Sequence, residues 1–425
     1  MNLKRSFVLF VSLLFLNLLC AEGKILTIED AVRLAKENNI SVKKAENNLD
    51  SLAVQNKYSW NSVSPAAKLN GNFEDDIEND STALSLSGVV NLSLKTNLYS
   101  EIKGAKLNYE KGLLTYSEAV RQIELSVRKK FYNLIYQKEN LVLQNRSLET
   151  SRTQYLNNEE KFKNGKISEL DALTSRVNYE SKKPVVESAE INFQNDLASF
   201  KQLLGIPQET EIALDGSLDD FLNLKEISFG LLPKVDEPAP DVKSAEYDVE
   251  IAKNSLLNLR FSAYAPVITG SYSYGKSKKS MQDDWMTTNR LSVGVSVPLD
   301  GILPWSSSAV NIKKQKNALD TAEKNLEDAK TTVVVQTESY IRKINQAVKQ
   351  LDSLKSTEKL AEQTYKMTLA AYNYGKTDFL SLQNANDSVL SAGVNLKSQA
   401  YTLISTILDL ESVLGLEFGT LETKK

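Results

Sequence analysis

The sequence predicts a mainly α-helical protein with a small β part, built as a tandem duplication. Three observations predict it. Tyr155, Gly165, Lys166, Leu170, Leu204 and Gly205 recur 210 residues later as Tyr365, Gly375, Lys376, Leu380, Leu414 and Gly415. Two long stretches carry a seven-residue apolar repeat, and four short runs alternate apolar with polar residues. Only 9 prolines and 17 glycines occur in 425 residues, so turns are few and elements long.

The chain opens with Lys4 and Arg5, an apolar run from Phe7 to Leu19, and Cys20-Ala21-Glu22-Gly23. A positive start, a short apolar core and a small-residue exit are the marks of a secretory leader over residues 1–23. The apolar run is too short for a spanning helix, which needs about 20 residues. Lipidation of Cys20 is the rival reading, and Leu19 before it is larger than that modification prefers. No later segment has the length of apolar sequence that a spanning helix needs.

The first repeat is expected over 24–205, with a helix, a β-hairpin at 65–97, a long helix at 99–164 and a return helix at 168–204. The second is expected over 241–416, with a helix, a hairpin at 266–299, a long helix at 305–374 and a return helix at 378–414. Segment 206–240, ending in Pro233, Pro238 and Pro240, links the copies, and 417–425 is a tail. In the first long helix Leu113, Val120, Val127, Leu134, Leu141, Leu148, Tyr155 and Phe162 keep an unbroken seven-residue period. The second runs from Ile312 through Leu319, Leu326, Val333, Tyr340, Ala347 and Leu354 to Ala361, then steps four residues to Tyr365 before Tyr372. Such a period marks coiled-coil packing, and the four-residue step is a stutter. These stripes are expected to be core. Gly165 and Gly375 suit left-handed C-caps, Ser168 and Asp378 suit N-caps, and Pro184 should kink the first return helix.

The strands read most clearly in Leu84, Leu86, Gly88, Val90, Leu92 and Leu94, and in Leu291, Val293, Val295, Val297 and Leu299, with mostly polar residues between. Weaker partners are Leu69, Gly71, Phe73 and Ile268, Gly270, Tyr272, Tyr274. Strands of roughly 9–11 residues can cross a bilayer in a barrel. Loops at 74–82 and 276–288 are expected to be long and charged. Four strands cannot close a barrel, so several chains must share one.

Composition excludes much else. The chain has no histidine and one cysteine, which removes histidine triads and nearly all zinc or haem sites. With 51 basic and 54 acidic residues there is no basic footprint for nucleic acid. The acid pairs Glu159/Glu160, Asp75/Asp76 and Asp283/Asp284 fall in exposed helix or loop contexts. They read as solvated surface, so no catalytic residue, metal ligand or cofactor is assigned. One non-catalytic reading is a periplasmic coiled-coil adaptor or structural protein. An adaptor usually carries a lipoyl-like β module between its helical halves, and 206–242 is too short for one.

These residues resemble the TolC-like outer-membrane efflux proteins over essentially the whole mature chain. The resemblance is carried by the opening segment from Leu26 to Asn39, by two proline-led hairpins and by the duplicated tips. The tips read Phe162-x-x-Gly165-x-x-Ser168-x-Leu170-Asp171 and Tyr372-x-x-Gly375-x-x-Asp378-x-Leu380, and each repeat closes on a Leu-Gly pair. The resemblance implies a homotrimer with a twelve-stranded barrel in outer-membrane lipid and a helical tunnel across the periplasm. It also implies a passive exit duct for efflux or type I secretion, opened by a periplasmic adaptor and an inner-membrane transporter. The tips then supply the docking rim, Gly165, Lys166, Ser168 and Leu170 with Gly375, Lys376, Asp378 and Leu380. By the same resemblance Tyr372 and Asp171 form a link that holds the periplasmic entrance closed. Thr377, Ser381 and Asn384 stand where a latch arginine and two ring carboxylates are expected, so the gate should close by neutral contacts.

Overall fold

The computed structural model describes residues 24–76, 81–222, 238–279 and 283–421. The expected leader, including Cys20, lies outside them, as do residues 223–237 of the linker and the last four residues. The elements in order are β1 (Lys24–Leu26), α1 (Ile28–Asn38), α2 (Ile40–Lys57), β2 (Ala66–Asp76), β3 (Ser81–Lys95), α3 (Leu98–Lys163) and α4 (Glu169–Leu204). They continue with β4 (Ile212–Leu214), α5 (Pro240–Tyr264), β5 (Val267–Lys278), β6 (Met286–Ser296), α6 (Ser307–Asn373) and α7 (Phe379–Leu414). No helix among the described residues is long and apolar enough to cross a membrane.

The chain divides into two compact units that cut across the sequence repeats. One comprises Ala45–Ser117 and Pro240–Thr332, the other Met1–Lys44, Glu118–Ala239 and Val333–Lys425. Each repeat therefore contributes to both units. Duplication describes how the chain was built, and packing groups corresponding parts of the two copies.

The first unit holds an antiparallel sheet in the order β2-β3-β5-β6. Its register sets Leu69 opposite Gly88, Gly88 opposite Tyr274, Gly270 opposite Val293 and Ile268 opposite Val295. Every apolar alternation therefore falls on one face, because cross-strand partners share a side. That face is bare: Leu69 is 83% exposed and Val293 75%. Where the chain leaves the sheet, Asn97 donates to Asn258 at 2.8 Å and Glu101 at 2.9 Å, and Asn254 donates to the Ser100 carbonyl at 2.7 Å. These bonds tie the start of α3 to α5.

The second unit contains the main core. Phe131, Leu134 and Ile135 of α3 pack with Phe200 and Leu204 of α4, Ile344 and Leu351 of α6, and Leu403, Ile404 and Leu408 of α7. The short parallel pair β1–β4 lies against this core, with Leu26 and Leu214 buried. Among the described residues, the buried charges Arg128 and Glu411 are both matched. Arg128 bridges Glu124 at 2.8 Å and Glu29 at 3.0 Å, and Lys36 reaches Glu124 at 2.6 Å. Glu411, fully buried, accepts the amides of Gly419 at 3.0 Å and Leu421 at 2.7 Å. Burial pushes its carboxyl up, opposed by those amides and by Arg128 and Arg121. The tail expected at 417–425 is thus packed as far as Leu421.

Two expectations are corrected here. The strands run further than the alternation marked: β2 continues through Glu74 and Asp75 to Asp76, β3 begins at Ser81, and β5 reaches Lys278. The loops at 74–82 and 276–288 are correspondingly shorter, because a charged residue in a water-facing strand keeps its ladder bonds while breaking the hydropathy pattern. The helix α4 continues on both sides of Pro184, as a kinked helix also does. The heptad stripe of α3 is core only at Val127 and Leu134. Leu113 and Phe162 are exposed, and Leu148 and Tyr155 are half-buried.

Candidate functional site: the helical turns at Gly165 and Gly375

Both long helices end in the same motif. At the first turn Gly165 has φ 67°, its amide donates to the Phe162 carbonyl at 2.8 Å, and Lys166 N–H donates to the Lys161 carbonyl at 2.8 Å. At the second Gly375 has φ 70°, with Gly375 bonded to Tyr372 at 3.0 Å and Lys376 to Ala371 at 2.9 Å. This pair of bonds is a Schellman cap, which requires a left-handed residue and so selects glycine. The chain re-enters helix within three residues. Ser168 caps α4 by accepting the Asp171 amide at 3.1 Å, and its hydroxyl donates to the Asp171 carboxylate at 2.8 Å. In the second copy the roles are exchanged: Asp378 accepts the Ser381 amide at 2.8 Å. Hydrogen bonds from Ser381 hold the Asp378 carboxyl below its ordinary range. Ser381 is therefore a partner of the cap, which explains a hydroxyl where the resemblance leads one to expect a carboxylate.

The structure brings Tyr372 to Asn158 in place of Asp171. The Tyr372 hydroxyl donates to Asn158 Oδ1 at 2.7 Å, and Asn158 is 1% exposed. Lys161 Nζ lies 4.6 Å from the centroid of the Tyr372 ring, whose edge meets Phe379 at 6.0 Å. Burial pushes the phenol up, a shift that the Asn158 bond opposes and the Asp171 charge reinforces. Tyr372 is thus held neutral and donating. Asp171 contributes through its field and is bonded within its own helix start. Thr377 is half-buried in the turn, and Asn384 is exposed one turn into α7. Lys166 and Lys376 are exposed, as are Leu170 (73%) and Leu380 (57%).

Sequence reasoning missed the seam to which Asn158 belongs. Ser147, Ser151, Gln154 and Asn158 are the buried positions of this half of α3, and they face buried Ser175 and Asn178 of α4 and Asn386 of α7. Asn178 donates to Ser151 at 3.4 Å, Asn386 to Ser147 at 3.3 Å, and Lys182 joins Ser147 at 2.9 Å to Asp387 at 2.7 Å. The signal was present as a 4-3-4 spacing of small polar residues, one position out of phase with the apolar stripe. A polar seam holds helices in register at lower cost to sliding than interlocked leucines, since each neutral bond contributes only about 0.5–1.5 kcal/mol net.

Residues 231–416 match the family described as outer membrane efflux protein. Over 306 residues the chain is 20% identical to outer membrane protein TolC of Vibrio cholerae, covering 71% of this chain and 69% of that one. The chain is similar to TolC-like outer-membrane efflux proteins, the family match itself lying in its second half. Its fold matches the CmeC outer membrane channel of Campylobacter jejuni with a TM-score of 0.77 at 18% identity, over 91% of this chain and 85% of that one. The open state of the MtrE outer membrane channel of Neisseria gonorrhoeae gives 0.73 at 19% identity, over 92% and 89%. The proteins it resembles are outer-membrane channels. TolC-like channels are trimers that work with adaptors and inner-membrane transporters.

Proposed function

We propose that three copies of this chain close one twelve-stranded barrel and one helical tunnel, a passive duct whose periplasmic end is opened by an adaptor and an inner-membrane transporter. The observation that carries the barrel is the sheet itself. It is amphipathic over most of its length, with Lys276 and Lys278 on the apolar face only toward the end of β5, its apolar face is uncovered, and β2 and β6 have open edges among the described residues. An open edge between an apolar and a polar face is tolerated in lipid only when another strand closes it. Three four-stranded sheets joined edge to edge remove every edge. The half-exposed apolar residues of the long helices are covered in the same assembly by neighbouring copies.

The docking rim is formed by Gly165, Lys166, Ser168 and Leu170 with Gly375, Lys376, Asp378 and Leu380. Both turns present exposed leucine and lysine to an adaptor. The gate is the bond from Tyr372 to Asn158 together with Asp171, Thr377, Ser381 and Asn384, and it closes by neutral contacts. Opening requires these helix ends to slide. Losing one neutral bond shifts the open population by up to about tenfold, the equivalent of roughly 1.4 kcal/mol. In planar bilayers the wild type should conduct weakly, and Tyr372→Phe should raise conductance several-fold. Asp171→Asn, which alters a helix cap and not the Tyr372 bond, should raise it less. Absence of any conductance in all three would refute the duct, and equal conductance would refute the gate.

A further inference from the structure

The sheet register also fixes what the polar face contains. Lys68 pairs with Val89, Val89 with Ser273, and Ser273 with Arg290. The two cations thus stand on one face, on the two edge strands. Around them that face carries hydroxyls and amides, such as Asn70, Ser87, Asn91, Ser271 and Ser292, paired in the same register. Lys95 shares the face at the end where β3 passes into α3. The acids lie toward the other end: Glu74 pairs with Ala83 near the hairpin turn, and Asp76 is the last residue of β2. Lys68 and Arg290 are exposed, and among the described residues neither side chain has a hydrogen bond or ion pair.

In a barrel the polar face is the lumen. We infer that Lys68, Lys95 and Arg290 make the barrel lumen of this channel anion-preferring, so that small anionic cargo is the class it passes most readily. The inference rests on the trimeric barrel proposed above. Three cations per chain give nine per trimer on walls otherwise neutral up to the level of Glu74. They are unpaired, so their field is not cancelled locally. A lumen walled by protein and lipid focuses such a field on the permeating ion. Lys68 and Arg290 lie on one cross-strand row and Lys95 lies six residues further along β3, so the positive potential extends from that row to the helix-bearing end of the sheet.

The test is ion selectivity, with purified full-length protein in planar bilayers under a KCl gradient of about 0.01 to 0.1 M, where the screening length is roughly 30 to 10 Å. The wild type should show chloride permeability several-fold above potassium. Lys68→Asn/Arg290→Ser, which keeps the wall polar, should bring the ratio near one, and Lys68→Glu/Arg290→Glu should invert it. Cation preference in the wild type, or a ratio unmoved by both double variants, would overturn the inference while leaving a working channel. A protein that extracts as a monomer and never conducts would overturn the barrel reading and this inference with it.

Discussion

Gly205→Val should cost the fold about 2–5 kcal/mol, a large part of the 5–15 kcal/mol that typical domains have in total. Gly205 ends α4 at φ 70°, where a β-branched residue is a strong outlier. A Cβ there would also lie 2.7 Å from the Asn38 carbonyl oxygen and 2.8 Å from its carbon. That backbone cannot retreat. Asn38 closes α1 through its side chain on the Leu34 carbonyl at 3.0 Å, and Asn39 donates to the Leu203 carbonyl at 2.7 Å. The two effects separate by comparison with Gly165→Ala, which has φ 67° and open space around the added carbon, and so carries the conformational cost alone, about 1–2 kcal/mol. Thermal unfolding of the detergent-solubilised protein should place Gly205→Ala well below Gly165→Ala. Equal midpoints would mean that the contact with Asn38 does not restrain the helix end.

Gly375→Val should abolish export while leaving assembly intact. Its Cβ would meet nothing within 4 Å, so no packing is lost. Valine is poorly accommodated at φ 70°, and the turn must rearrange to relieve it. The bonds from Gly375 to Tyr372 and from Lys376 to Ala371 would open, moving Lys376 and Leu380 out of the proposed docking rim. Cells carrying the variant as sole channel should lose export by tenfold or more, while membrane extracts contain normal amounts of oligomer. Full export would show that docking lies elsewhere, and loss of oligomer would show that the turn has a folding role.

What the sequence made legible has physical causes. Glycines 165 and 375 announced the turns because a left-handed cap excludes nearly every other residue, and their 210-residue spacing made the duplication visible. The four strands were legible because a sheet with one lipid face must alternate. Strand ends were not, since Glu74 and Asp75 satisfy the ladder as well as any residue once the strand faces water. The buried seam of α3 was hidden by its neighbours: Leu148 and Tyr155 suggest a core, yet Ser147 and Gln154, one position earlier, are what the single chain buries. Apolar residues that the proposed trimer would cover look like core to any reading of one chain. The partner of Tyr372 was missed for a related reason, since Asn158 is polar and lies 214 residues away, and only packing reveals that it faces the ring.

The mass of the detergent-extracted particle, measured by native mass spectrometry with full-length protein, tests the central claim most directly. A barrel shared among copies predicts three chains in one particle, persisting on dilution because separation reopens six strand edges. A homogeneous monomer that remains folded in detergent would contradict the shared barrel, and with it the duct.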